Sequence, residues 1–128
     1  MLFIIDDDLA FSALLKEISQ SICSKIEVFT DPSLFIEKSF LAADIIILDI
    51  KMPKMDGVEI LRQLAVKKCQ ANIILISGFD SGVLHSTSML ANELGLNIVA
   101  QVNKPVQIQK IQKILNSRMF HLHTLKRE

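Results

Sequence analysis

The segment FIIDDD places Asp6, Asp7 and Asp8 directly after an apolar run, and ILDIKMPKMDG ends another apolar run in Asp49. Ser77 in ILISG and Lys104 in VNKP follow two further apolar runs in the same way. Helix capping explains one acid of the first cluster, because Asp is a good N-cap and negative charge suits a first turn. It does not explain three. Two carboxylates brought to within about 4–5 Å repel by about 3–4 kcal/mol at an effective dielectric near 20, enough to shift one pKa by about two units. Either one is protonated or a cation sits between them. Oxygen ligands with no His or Cys among them select a hard divalent ion, and few protein ligands with room for water suit Mg²⁺ better than Ca²⁺. A carboxylate flanked by such an ion, a lysine and a hydroxyl is placed to accept a phosphoryl group, because that chemistry consists mainly of positioning and charge stabilisation. Asp49 is the candidate nucleophile.

That constellation requires a fold that delivers all four segments to one edge. Apolar runs of strand length recur at Leu2 to Ile5, Ile26 to Phe29, Ile45 to Leu48, Ile73 to Ile76 and Ile98 to Val102. Segments of helical period alternate with them. Phe11, Leu14, Leu15, Ile18 and Ile22 predict one apolar face of a first helix, and Ile108, Ile111, Leu115, Met119 and Leu122 that of a last one. Thr30-Asp31-Pro32, Asp56-Gly57 and Asn103-Lys104-Pro105 mark helix starts, and Gly95 marks a helix end. Strict alternation of strand and helix predicts an α/β fold, a doubly wound parallel sheet with helices on both faces. The continuously apolar DIIILDI and NIILIS fit strands covered on both sides. For five units the expected order is 2-1-3-4-5, with ligands bound outside the carboxyl ends of the strands. Those ends are where Asp6, Asp7, Asp49, Ser77 and Lys104 fall.

The 128 residues suit a single domain, able to bury about two-thirds of its unfolded surface. Fourteen basic residues balance fourteen acidic ones, so the domain has no electrostatic footprint for nucleic acid. No apolar run approaches the about 20 residues that cross a bilayer, and no secretory signal is visible, so a cytoplasmic protein is expected, with neither membrane nor nucleic acid as a direct partner. Cys23 and Cys69 lack metal-ligand spacing and are expected as buried free thiols.

Taken together, FIIDDD, ILDIKMPKMDG, ILISG and VNKP resemble the receiver domain of two-component response regulators, over essentially the whole chain and with the flavodoxin-like order given above. The resemblance implies that Asp6 and Asp7 help hold Mg²⁺, that Asp49 accepts a phosphoryl group from a histidine kinase or histidine phosphotransfer protein, and that the Lys51 carbonyl completes the protein's metal ligands. It implies that Ser77 bonds the phosphoryl group and that Lys104 is aimed at Asp49 across a cis bond to Pro105. Asp8 falls where the family varies and is read as the cap of the first helix. Lys51 and Phe79 border the path of a hydrolysing water, and His85, His121 and His123 read as solvated residues.

Such a domain is a switch that catalyses its own phosphorylation and dephosphorylation and is not otherwise an enzyme. It signals through the face of helix 4, strand 5 and helix 5. Residues 1–118 are read as the receiver and 119–128 as a helix extension or the start of a linker. The apolar stripe that continues to Met119, Leu122 and Leu125 is read as mostly core, and its far end as a homodimer contact or a route to a downstream output domain. Two departures stand out. Gln101 replaces the aromatic residue usual three positions before the lysine, and ELGLNIVAQVNKP is longer than usual, similar to receivers that precede cyclic-di-GMP hydrolases. The competing readings are a receiver-like interaction module that is not phosphorylated and a hydrolase using an aspartyl phosphate. The hydrolase is disfavoured because Lys51 stands where a second acid would be needed, and a nucleotide binder, the other enzyme reading, because no Gly-rich fingerprint follows the first strand.

Overall fold

The computed structural model describes residues 1–51, 56–78 and 81–127, and their side chains except at 81 and 119–127. Five strands, β1 (Leu2–Ile5), β2 (Ile26–Phe29), β3 (Ile45–Asp49), β4 (Asn72–Ser77) and β5 (Asn97–Asn103), alternate with five helices. The helices are α1 (Leu9–Ser19), α2 (Pro32–Ile36), α3 (Gly57–Val66), α4 (Ser81–Glu93) and α5 (Ile108–Arg127). The strands form one parallel sheet in the order β2-β1-β3-β4-β5, as the alternation predicts. Every residue of β1, β3 and β4 is buried, whereas the outer strands β2 and β5 are mostly half-buried or exposed. Continuous apolar runs therefore belong to the inner strands, whose two faces are both covered.

Local signals start and stop the helices. Asp8, Asp31 and Asp56 each adopt extended backbone and accept from an amide of the first turn, that of Phe11, Ser33 and Glu59 respectively. Pro32 occupies the first turn of α2, where its missing N–H costs nothing. Gly95 adopts φ +88, and the Leu96 amide donates back to the Ala91 carbonyl, which terminates α4.

One core, under α2, α3 and α4, contains Phe3, Phe29, Phe35, Leu48, Leu61 and Leu75. In it the rings of Phe3 and Phe40 meet edge to face at 5.0 Å. The other, under α1 and α5, contains Leu2, Ile4, Leu15, Ile47, Ile111 and Leu115. Both cysteines are buried and free.

Three expectations are modified. The inward line of α1 is Ser12, Leu15 and Ser19, while Leu14 is 41% exposed. An apolar stripe wider than the contact it makes leaves the phase of the helix to its neighbours, and here two serines take inward positions. On α5, Ile111 and Leu115 are buried but Ile108 is 45% exposed, and the side chains of Met119, Leu122 and Leu125 lie outside the described residues. The long stretch before Lys104 is absorbed by a β-bulge: Ile73 pairs with Ile98 but Ile74 pairs with Ala100, so Val99 is the extra residue. Val99 and Ala100 then both pack towards the α1–α5 core.

Candidate functional site

The register of the inner strands assembles the site. Ile5 pairs with Leu48, so Asp6 and Asp49 emerge side by side from β1 and β3. Ser77 pairs with Asn103, so the end of β4 lies against the residue before Lys104, and the Lys104 amide donates to the Ser77 carbonyl at 2.8 Å. The Lys104–Pro105 peptide is cis. Asp6 and Asp49 are 2% and 4% exposed, Ser77 is buried and Asp7 is exposed.

Each buried carboxylate is held at both oxygens. Asp6 Oδ1 accepts from the Asp8 amide and Asp49 Oδ1 from the Lys51 amide, both at 2.9 Å. Their Oδ2 atoms share one cation, the Lys104 ammonium, at 3.3 Å from Asp6 and 2.9 Å from Asp49. The Lys104 Nζ also lies 4.5 Å from the centroid of the Phe11 ring. Ser12 Oγ donates to the Asp6 carbonyl at 3.2 Å, tying the first turn of α1 to the end of β1.

One cation cannot neutralise two buried anions. Burial pushes the Asp6 carboxyl up to about 6; the Asp8 amide opposes the shift, the Asp49 charge adds to it and Lys104 opposes it. For Lys104, burial alone would depress the ammonium, but the hydrogen bond and charge of Asp49, followed by those of Asp6, outweigh burial and raise its pKa.

A raised carboxyl pKa means that folding takes up a proton. The charged form of Asp6 therefore costs the folded state stability above pH 6, and the cost disappears below the unfolded value of 3.8. The expected consequence, in chelator, is that Asp6→Asn is more favourable relative to wild type at pH 7.5 than at pH 5, by about 1–1.5 kcal/mol. Urea unfolding at both pH values measures it, and a difference independent of pH would contradict the charge frustration at Asp6.

The third carboxylate completes a cluster. One oxygen each from Asp6, Asp7 and Asp49 lies within 4.8 Å of the others. An octahedral Mg²⁺ with bonds of about 2.1 Å needs oxygens no more than about 4.2 Å apart, so small side-chain rotations would close the set. The donor chemistry, hard anionic oxygens with one exposed member open to water, fits that ion.

Of the residues singled out in the sequence, the structure brings Asp6, Asp7, Asp49 and Lys104 together, and sets Lys51 and Ser77 at the adjoining strand ends. Asp8 turns away as the α1 cap. His85 is exposed on α4. The middle of the Asp49 motif, Met52 to Met55, lies outside the described residues, as do Phe79 and the side chains of His121 and His123. Two contributors were not legible as site residues, Phe11 and Ser12: an apolar residue on a helix face reads as core, and a serine in a first turn reads as local capping.

Comparison with known proteins agrees with this geometry. The chain matches the response regulator receiver domain family over residues 2–116. It is 35% identical over 79 residues to the response regulator protein TmoT of Ectopseudomonas mendocina, an alignment covering 61% of this chain and 36% of that protein's length. It is 32% identical over 72 residues to the cyclic di-GMP phosphodiesterase RocR of Pseudomonas aeruginosa, covering 56% of this chain and 18% of that protein. The chain thus spans a minor part of both relatives. The crystal structure of a response regulator from Colwellia psychrerythraea superposes with a TM-score of 0.88 at 44% identity, covering 94% of this chain and 96% of that one. Among the described residues no helix is long and apolar enough to cross a membrane. A parallel sheet in this order, carrying three clustered carboxylates and one lysine at its carboxyl edge, makes this chain a member of the response regulator receiver domains of two-component signalling.

Proposed function

We propose that the chain is a phosphoacceptor switch in which Asp49 takes a phosphoryl group from a phosphohistidine on a histidine kinase or histidine phosphotransfer protein. A carboxylate oxygen of Asp49 forms the new P–O bond as the P–N bond to the donor imidazole breaks; that imidazole leaves with the bonding pair and takes up a proton. The observation that carries this reading is the buried Asp49 carboxylate, held at Oδ1 by the Lys51 amide and at Oδ2 by Lys104. The amide bond orients the nucleophile in advance of reaction. Lys104 shifts its hydrogen bonds from the carboxylates to the incoming phosphoryl oxygens, and the Ser77 hydroxyl is assigned to a second of them. Asp6, Asp7, Asp49 and the Lys51 carbonyl are the groups that would hold Mg²⁺, which supplies neutralising charge at the phosphoryl oxygens when bound.

Phosphorylation then shifts a two-state equilibrium of the face formed by α4, β5 and α5. With Gln101 exposed on β5 in place of an aromatic ring, the shift must be carried by other residues of that face. Residues 1–118 act as the receiver in the cytoplasm, and 119–128 serve as a helix extension or the start of a linker towards a second copy or an output domain. The likeness to part of RocR makes a cyclic-di-GMP pathway one output to examine.

The test is incubation with acetyl phosphate and Mg²⁺ followed by intact mass. Wild type is expected to gain one phosphoryl group and Asp49→Asn none. A wild-type chain that gains nothing, or a variant that gains as much, overturns the reading.

A further inference from the structure

We propose that Phe11 is a positioning residue for Lys104, its ring face holding the ammonium over the paired carboxylates of Asp6 and Asp49. The inference rests on the reading of Asp49 as phosphoacceptor and adds a residue that the acidic motif does not contain.

Lys104 is fixed at its backbone, where its amide donates to the Ser77 carbonyl, but its charge rides on a flexible four-carbon stem that is 26% exposed. Nothing in the stem itself keeps the ammonium inward rather than in water. Two surfaces confine it. On one side the carboxylates of Asp6 and Asp49 accept from Nζ at 3.3 and 2.9 Å. On the other side the Phe11 ring stands 4.5 Å from Nζ, inside the range in which a ring face attracts a cation.

The ring is itself held. The Phe11 amide donates to Asp8 Oδ1 at 3.0 Å, and its side chain packs half-buried against the α1–α5 core. The third acid of the opening cluster thereby has an indirect part in the site: by capping α1 it sets the residue that faces Lys104. A ring face differs from a carboxylate in what it takes from the lysine. It attracts the charge without a directional lone pair, so the ammonium can exchange a carboxylate for a phosphoryl oxygen without leaving its place.

The experiment compares wild type, Phe11→Leu and Phe11→Tyr, phosphorylated by acetyl phosphate so that no kinase surface is involved. At saturating Mg²⁺ the leucine variant is expected to incorporate phosphoryl about 5-fold more slowly and the tyrosine variant to stay within about twofold of wild type, the range a partly desolvated cation–π contact supports. The Mg²⁺ concentration for half-maximal rate should not rise, since the carboxylates are untouched; a site that had merely lost its packing would lose both. A leucine variant within twofold of wild type, a tyrosine variant as slow as leucine, or a Mg²⁺ requirement that rises with the defect each overturns the proposal.

Urea unfolding of Phe11→Leu, Lys104→Met and the double variant reads the contact without phosphorylation, and a coupling of about 3-fold or more in the unfolding constant is expected. Additive effects overturn the proposal. If wild type takes no phosphoryl group while coupling is present, the phosphoacceptor reading has failed and the contact has not.

Discussion

Replacing Lys104 with methionine is expected to slow phosphorylation of Asp49 by about two orders of magnitude or more, and to destabilise the protein in chelator far more than in Mg²⁺. The kinetic part follows from removing a preorganised charge aimed at developing phosphoryl charge, an effect that typically costs about 10²–10³-fold. The stability part follows from burial. Asp6 and Asp49, 2% and 4% exposed, share the Lys104 ammonium, so its loss leaves two adjacent carboxylates without their counter-ion.

Removing one partner of a buried ion pair costs about 3–5 kcal/mol. Asp6 relieves part of that by protonating, since its pKa is already raised to about 6 and rises further without Lys104. A divalent ion on the carboxylates relieves most of the remainder, because a ligand that binds only the folded state stabilises it by mass action. Urea unfolding with EDTA and with excess Mg²⁺, run on wild type and Lys104→Met, separates the contributions. Equal stability of the two chains in EDTA would refute the view that Lys104 neutralises the pair.

The second large effect is expected at a position with no polar chemistry. Gly57 begins α3, and its amide donates to the Ile50 carbonyl at 2.9 Å. A Cβ placed there would stand 2.4 Å from Ile50 Cα, 2.8 Å from Ile50 Cβ and 2.9 Å from the Ile50 carbonyl oxygen. These atoms are backbone or attached to it, and they belong to the residue after Asp49. They cannot be relieved by a rotamer change. Ordinarily alanine is favoured over glycine in a helix by about 1 kcal/mol. Here forcing the chains apart is expected to reverse the sign, to a loss of about 2–3 kcal/mol.

The displacement would act on the segment that aims Asp49, so phosphorylation should slow as stability falls. Gly82→Ala, at an exposed position early in α4, is the control and is expected to be neutral or stabilising. If Gly57→Ala unfolds at the same urea concentration as Gly82→Ala, the close approach of α3 to Ile50 is not what requires a glycine.

Strand order and the identity of the polar residues at the strand ends were legible because their signals are local. The buried strands are short continuous apolar runs, and Asp8, Asp31, Asp56 and Gly95 punctuate the helices with chemistry that acts within one turn. Once the doubly wound order is inferred, adjacency of the first and third strands follows, and with it the meeting of Asp6, Asp7 and Asp49. Residue type and spacing do not by themselves separate the fates of Asp7 and Asp8, since two equal side chains are distinguished only by the backbone angles that turn one to the cluster and the other to the Phe11 amide.

Tertiary structure alone decided the rest, and in each case the deciding contact lies far away in the chain. The phase of α1 depends on the surface it meets, which is why Ser12 and Ser19 are inside and Leu14 is not. The bulge at Val99 depends on keeping β5 in register with β4 on both sides of one surplus residue. The place of Phe11 over Lys104 depends on the first helix and the last strand arriving at one edge, and a periodicity in one segment carries no information about what faces it from another.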